Sequence, residues 1–156
     1  MTTFEELKKN EEIRTYIEQA DRSLAALDYT EHSFAHVVKV AETAGGILQT
    51  LGYPEHDVEL AKIAGFLHDI GNLVNRVEHA QSGAIMAFTI LKNMDFTPQE
   101  LATIVTAIAN HDEAIGVPVD HVAAALILAD KSDVRRSRVR NSDRHPLTSM
   151  TGSIIR

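Results

Sequence analysis

Apolar residues in this chain recur every three to four positions, and no stretch alternates apolar with polar as a half-buried strand would. That regularity restricts the fold to helices packed on helices. Ile13, Ile17, Ala20 and Leu24 mark a first amphipathic helix in an acidic segment. A second is expected from about Ser33 to Leu51, with Phe34, Val37, Val40, Ala41, Ala44 and Leu48 inward and Gly52 as its stop signal. Pro54 suits the first turn of a third, which carries Val58, Leu60, Ala61, Ile63, Ala64, Phe66 and Leu67 and is expected to end at Gly71. A fourth covers roughly Glu78 to Asn93. The fifth opens at Thr97-Pro98-Gln99-Glu100, a threonine cap with proline at the first helical position and glutamate three after the cap, and runs to about His111. A sixth, from Pro118 to about Val134, is apolar on most sides between Val122 and Ala129, which predicts a place at the centre. The fold class is therefore all-α: a single-domain bundle of about six helices. Residues 30–134 form its core, 1–29 a helical extension packed on it, and 135–156 a basic C-terminal segment, loop or partly ordered.

At 156 residues, such a bundle buries roughly 70% of the surface that its unfolded chain exposes, enough to enclose a site. There is no cysteine, which removes disulfides, thiolate metal sites and cysteine nucleophiles. The longest apolar run, Val122–Ala129, is far short of a membrane span, and the first residues show no basic-then-apolar leader. A cytoplasmic location without membrane partners is the expectation. No glycine-rich phosphate loop is present, which excludes P-loop chemistry.

The net charge of −7 is unevenly spread. Lys131, Arg135, Arg136, Arg138, Arg140 and Arg144 cluster near the C-terminus, leaving 9 basic against 20 acidic side chains outside 131–144. An acidic body argues against a broad face for extended nucleic acid. The basic strip is either a solvated tail or a grip for a small phosphorylated ligand.

Eight histidines give the chain its chemistry. His68-Asp69 follows the apolar run Ala64-Gly-Phe-Leu at a helix end, where an unpaired carboxylate is costly to bury. Asp130 poses the same problem after Ala123–Ala129. A bound cation or a buried cationic partner removes that cost. His32 and His36 lie one turn apart on one face, so either could turn inward. Nitrogen and oxygen ligands without sulfur suit iron, manganese, zinc or magnesium. His56, His121 and His145 fit no such pattern and are expected to be solvated.

These pieces resemble the HD-domain metal-dependent phosphohydrolases. The likeness rests on His36 in Phe34-Ala-His-Val-Val-Lys-Val-Ala-Glu-Thr-Ala, on Leu67-His-Asp-Ile-Gly, and on Leu128-Ala-Asp-Lys-Ser-Asp, and covers about residues 30–134. It implies His36, His68, Asp69 and Asp130 as ligands of a first ion, with His32 competing for the place of His36. Glu78-His-Ala-Gln-Ser-Gly is similar to the family's His-Pro-x-x-Gly segment, with Ala80 in place of proline. Asn110-His-Asp-Glu is similar to its His-His-Glu segment, with Asn110 replacing one histidine. Members with two metals thus imply His79 and His111 as further ligands, with Asp69 bridging the ions and belonging to the catalytic group.

One or two divalent ions (iron, manganese, zinc, cobalt or nickel, with magnesium open) would make hydroxide available near neutral pH. Lys131 is the expected catalytic cation, and Lys39, Lys131, Arg135 and Arg136 the expected substrate contacts. The implied reaction is hydrolysis of a phosphoester or phosphoanhydride of a nucleotide or other small phosphorylated metabolite, with a homodimer open. Similarity to small bacterial HD hydrolases around Val40-Ala-Glu-Thr-Ala favours nucleotides. The cyclic-dinucleotide branch of the family carries a longer glycine–tyrosine–proline segment, where this chain has only Gly116-Val-Pro. A di-iron oxygenase on the same cage and a non-catalytic, metal-stabilised sensing domain are the rival readings.

Overall fold

A computed structural model describes residues 1–112, 114 and 116–140. Its helices are α1 (Phe4–Lys8), α2 (Glu11–Ala26), α3 (Phe34–Thr50), α4 (Glu55–Leu67), α5 (His79–Leu91), α6 (Pro98–Ala109) and α7 (His121–Ser132), with 3-10 turns at Ile70–Leu73 and Arg136–Arg138. Among the described residues there is no strand, so the all-α expectation holds. No helix is long and apolar enough to cross a membrane. His145, Arg144 and the rest of residues 141–156 lie outside the described residues.

The caps account for most boundaries. Thr97 and Glu100 close the expected reciprocal box at the start of α6. Gly52, at φ +82°, ends α3: its N–H donates to Gln49 O, and the Tyr53 N–H reaches back to Leu48 O. That pair of bonds needs a left-handed residue, which glycine supplies without strain. α1 has only five residues, too few to show a period, and is held by a second reciprocal box between Thr3 and Glu6. α7 begins later than expected because Asp120, rather than the chain near Pro118, caps it through the Ala123 N–H.

Two expectations about the helices are corrected. α4 stops at Leu67 rather than Gly71, with His68 as its cap and the chain tightening into the 3-10 turn. The central helix is α4 and not α7. Leu60, Ala61, Ile63, Ala64, Phe66 and Leu67 are buried on every side of α4, whereas Leu128 on α7 is 58% exposed. Hydrophobicity all round α7 does not mean burial all round: Val122, Ala123, Ala125, Leu126 and Ala129 face the core, while Ala124 and Ile127 are half-buried and Leu128 lies on the solvent side. α4 packs directly on the α3 backbone at Gly65, where a Cβ would lie 2.8 Å from Ala41 Cα. Phe66 takes Phe4 and Phe34 edge-on at 5.5 and 5.7 Å, tying α1 and α3 to α4.

His56 is exposed, as expected, and His121 half-buried, and both are paired across helix starts. His121 Nε2 lies 2.7 Å from Asp57 Oδ2 with its ring stacked on Tyr53, and His56 Nε2 lies 2.7 Å from Glu100 Oε1. The bond to Glu100 raises the His56 pKa, and His56, then the Thr97 amide, lowers that of Glu100. The imidazolium's contribution is complete below its ordinary value near 6.5 and is lost as pH rises through the raised folded one. The carboxylate's is complete above its ordinary value near 4.5 and is lost as pH falls through the lowered one. His56→Ala is therefore expected to lower Tm more at about pH 5.5 than at about pH 8.5, with the difference shrinking in salt because the His56 side of the pair faces solvent. Equal losses at both pH values in thermal melts would remove the pair as a source of stability.

The segment after α7 folds back on the loop between α2 and α3. Arg138 Nε donates to Glu31 O, the Glu31 N–H donates to Arg138 O, and Arg140 reaches Tyr29 O and Asp21 Oδ1. This strap holds the chain that leads into His32.

Candidate metal centre

The first contributor is the end of α4. The last carbonyls of a helix have no partner within it, and His68 uses one: its Nδ1 lies 2.7 Å from Gly65 O. A carbonyl only accepts, so Nδ1 carries the proton and Nε2 turns a lone pair inward. His111, just past α6, repeats this on Ile108 O at 2.6 Å, and His79, at the start of α5, on Arg76 O at 3.1 Å. His32 does so on Thr30 O at 2.7 Å. In His36, on α3, Nδ1 meets Asp133 Oδ2 at 2.7 Å across 97 residues of chain. Five imidazoles are thus oriented through Nδ1 and present Nε2 to one place.

That place is Asp69. Its Oδ2 lies 3.0 Å from His68 Nε2, 3.5 Å from His36 Nε2 and 3.9 Å from His32 Nε2. Its Oδ1 lies 3.5 Å from His79 Nε2 and 3.8 Å from His111 Nε2. The two oxygens of one carboxylate therefore face two different groups of histidines. Asp130, at the end of α7, closes the first group at 3.3 Å from His36 Nε2 and 3.5 Å from His68 Nε2. The six residues expected as ligands are brought together, with His32 beside them at the mouth.

The donor set fits a metal. His36 Nε2, His68 Nε2 and Asp69 Oδ2 are buried without a hydrogen-bond partner, and a buried polar atom is seldom left so. His79 and His111 turn their Nε2 atoms toward each other at 3.2 Å. With both Nδ1 atoms committed as donors, two lone pairs face one another, and only a cation reconciles them. Donors each about 2.0–2.2 Å from one ion stand about 3.0–3.5 Å apart, the range seen around His36, His68, Asp69 and Asp130. Two triads of donors, His36–His68–Asp130 and His68–Asp69–His111, are close enough to share an ion.

The electrostatics call for positive charge at this place. Burial opposes the charged forms of His68 and His36, but Asp69 and Asp130 outweigh it and raise the pKa of both rings, so a metal ion would displace protons there. Burial opposes the charged form of Asp69, but His68, His111 and His36 outweigh it and hold the carboxyl well below its usual range. Asp130 is lowered likewise, burial being overcome by His68 and His36. Burial pushes His79 down to about 4, with Arg76 and His111 adding to it, so its Nε2 stays a lone pair at neutral pH.

A cavity of about 240 Å³ opens onto the cluster, lined by Asp69, Asp130, His79 and His111 together with His32, Arg76 and Asp112. Larger apolar grooves, such as one of about 580 Å³ beside Phe88, Leu101 and Val105, hold none of these ligands. Lys39, Lys131, Arg135 and Arg136, expected to meet substrate, are not among the residues lining the cavity. Arg135 instead clamps Asp133 at 2.6 and 3.0 Å. Two more of the strip's arginines are held within the fold, Arg138 by the Glu31 and Asp133 backbone oxygens and Arg140 by Asp21. Arg76, Asn72, Asp112 and Asp133 were missed by the sequence reading. Asp133 alone carried a signal, as the second acid of Asp130-Lys-Ser-Asp133.

Asp133 is 5% exposed and fixes the ring of His36 through Nδ1. Partners of this kind set ligand orientation, and losing one costs about 10- to 100-fold in metal affinity. Asp133→Asn is expected to weaken metal binding by that amount in a titration against a competing chelator. Wild-type affinity would show that His36 needs no such support.

The HD domain family matches residues 33–135, well over half of the chain. A ribonuclease Y from Pediococcus pentosaceus is 36% identical over 107 residues, which cover 67% of this chain but 18% of that protein. An uncharacterized protein of Methanocaldococcus jannaschii is 26% identical over 160 residues, covering 88% of this chain and 61% of its own length. A ribonuclease Y from Lawsonia intracellularis is 36% identical over 105 residues, covering 67% of this chain and 18% of that protein. The chain thus spans about a fifth of the ribonuclease Y sequences and about three fifths of the archaeal one. No solved structure gives a significant match. With the histidine–aspartate pair at the end of α4, the imidazoles gathered round it and a family match that spans all of them but His32, the chain belongs to the HD domain family.

Proposed function

We propose that this protein is a metal-dependent phosphohydrolase acting on a phosphoester or phosphoanhydride of a nucleotide or similar small metabolite. The observation that carries the reading is Asp69, whose two oxygens face separate groups of Nε2 lone pairs. His36, His68, Asp69 and Asp130 would hold one divalent ion, and Asp69, His79 and His111 a second. Ligands rich in imidazole favour iron, manganese, zinc, cobalt or nickel over magnesium. Such ions lower the pKa of bound water to about 7 and offset charge on phosphoryl oxygens.

The chain's own residues do the rest. Nδ1 bonds to Gly65, Ile108 and Arg76 carbonyls and to Asp133 keep the rings from turning, so the donor set is pre-organised. His32 stands at the mouth, where burial lowers its pKa and leaves Nε2 able to take a proton. In the hydrolysis, a water oxygen adds to phosphorus, the bond to the departing oxygen breaks, and that oxygen leaves with a proton.

A second reading has its own support: relatives named ribonuclease Y are 36% identical over the matched region, which favours an RNA phosphodiester. Against it stands the acidic body, net −7. Protein reconstituted with manganese, iron or cobalt should release phosphate from a nucleotide panel, and a labelled oligoribonucleotide run beside it tests the rival. Two bound ions per chain without release from any substrate would sink both.

A further inference from the structure

Arg76 is the one lysine or arginine among the described residues that line the metal-facing cavity. It is carried in the turn after the Ile70–Leu73 3-10 segment, a turn held by the Val77 N–H on Asn75 Oδ1 and by Glu78 in the left-handed region at φ +57°. Its guanidinium is placed from two sides. Nη1 lies 3.3 Å from Asn72 Oδ1, and the head stands 5.5 Å from the centre of the Tyr29 ring. Asn72 is 2% exposed and turns its Nδ2 to Asp69, at 2.9 Å from the backbone oxygen and 3.3 Å from Oδ1. One amide thus sets both the bridging carboxylate and the arginine, fixing the distance between them. Nothing in the proposed metal chemistry uses this cation.

We infer that Arg76 is a specificity-determining residue that selects a terminal phosphoryl group, one with three non-bridging oxygens, over an internal phosphodiester; this rests on the phosphohydrolase reading. Two non-bridging oxygens are required on the side of Asp69, where the two groups of donors lie. A guanidinium held apart from them at fixed reach needs a third. A monoester or the last phosphate of an anhydride has it, and an internal diester does not. The cavity agrees in size: about 240 Å³ is the liquid volume of about eight waters, room for a phosphoryl group and a few further atoms. The remainder of the substrate then lies outside, toward Tyr29, which is 43% exposed.

The test compares wild type, Arg76→Ala and Arg76→Lys, each loaded with metal and assayed for metal content. Binding of inorganic phosphate is measured by calorimetry, and kcat/KM is measured for 4-nitrophenyl phosphate and bis(4-nitrophenyl) phosphate. Arg76→Ala is expected to keep its metal, bind phosphate about 10- to 100-fold more weakly, and lower the monoester-to-diester ratio of kcat/KM by a similar factor. Arg76→Lys restores the charge without the two-pronged fork and should recover only part. Wild-type phosphate affinity and an unchanged ratio in Arg76→Ala would overturn the inference, as would loss of metal, which would make Arg76 a support for the centre. A wild type that holds metal yet binds no phosphate and cleaves neither ester removes the phosphohydrolase reading itself, and this inference with it.

Discussion

Replacing Asp69 with alanine should empty the metal centre and reduce turnover by about a thousandfold or more, to background. Among the described residues no other faces both groups of histidines: its two oxygens lie 3.0–3.9 Å from five Nε2 atoms. Asp69 sits in the bend between α4 and the 3-10 turn, so its side chain supports no helix, and the far-ultraviolet circular dichroism should stay that of the parent. Asp69→Asn is the sharper variant. It preserves shape and removes only the charge that two divalent ions would share. Elemental analysis of both variants beside the wild type reads the outcome, and full metal retention with normal turnover would place the active centre elsewhere.

The second large effect is expected at Gly71, from a single added carbon. A Cβ there would overlap the backbone oxygen of His79 and the backbone nitrogen of Gly83, and would lie 2.7 Å from Ser82 Oγ. Two of those three are backbone atoms at the start of α5 and cannot step aside as a side chain can. Gly71→Ala must therefore push α5 away from the turn that bears Asp69. The expected cost is about 2–4 kcal/mol in denaturant midpoints, with His79 drawn away from Asp69 Oδ1. Gly46→Ala is the control: within α3, its Cβ would meet nothing within 4 Å, and the change should stabilise by about 0.5–1 kcal/mol. A Gly71→Ala protein with the parent's midpoint would mean that α5 does not pack as tightly as the structure has it.

Local terms were legible in the chain itself. Helix period, the Thr97–Glu100 box and the Gly52 stop are short-range rules, and each is met within a few residues. Asp69 and Asp130 could be singled out because a carboxylate after an apolar run needs a cation wherever the helix comes to lie. The turn-spaced His32 and His36 could not be separated, since spacing alone puts both on one helix face, whereas in the structure His32 lies ahead of α3. Their roles diverge only because Asp133, 97 residues from His36, meets one ring and the Thr30 carbonyl meets the other.

The basic strip shows the converse. Composition counts charges but not their partners, so Arg135 reads as a substrate contact until Asp133 is seen to hold it. Arg76 offered no local sign, being one arginine in a polar turn. From the sequence alone came most of the helices, the carboxylates at the helix ends and the family. Which nitrogen of each ring turns inward, which cation reaches the cavity and how α5 approaches Asp69 were decided by tertiary packing. Those are contacts between residues distant along the chain, and their energies exist only once the helices have met.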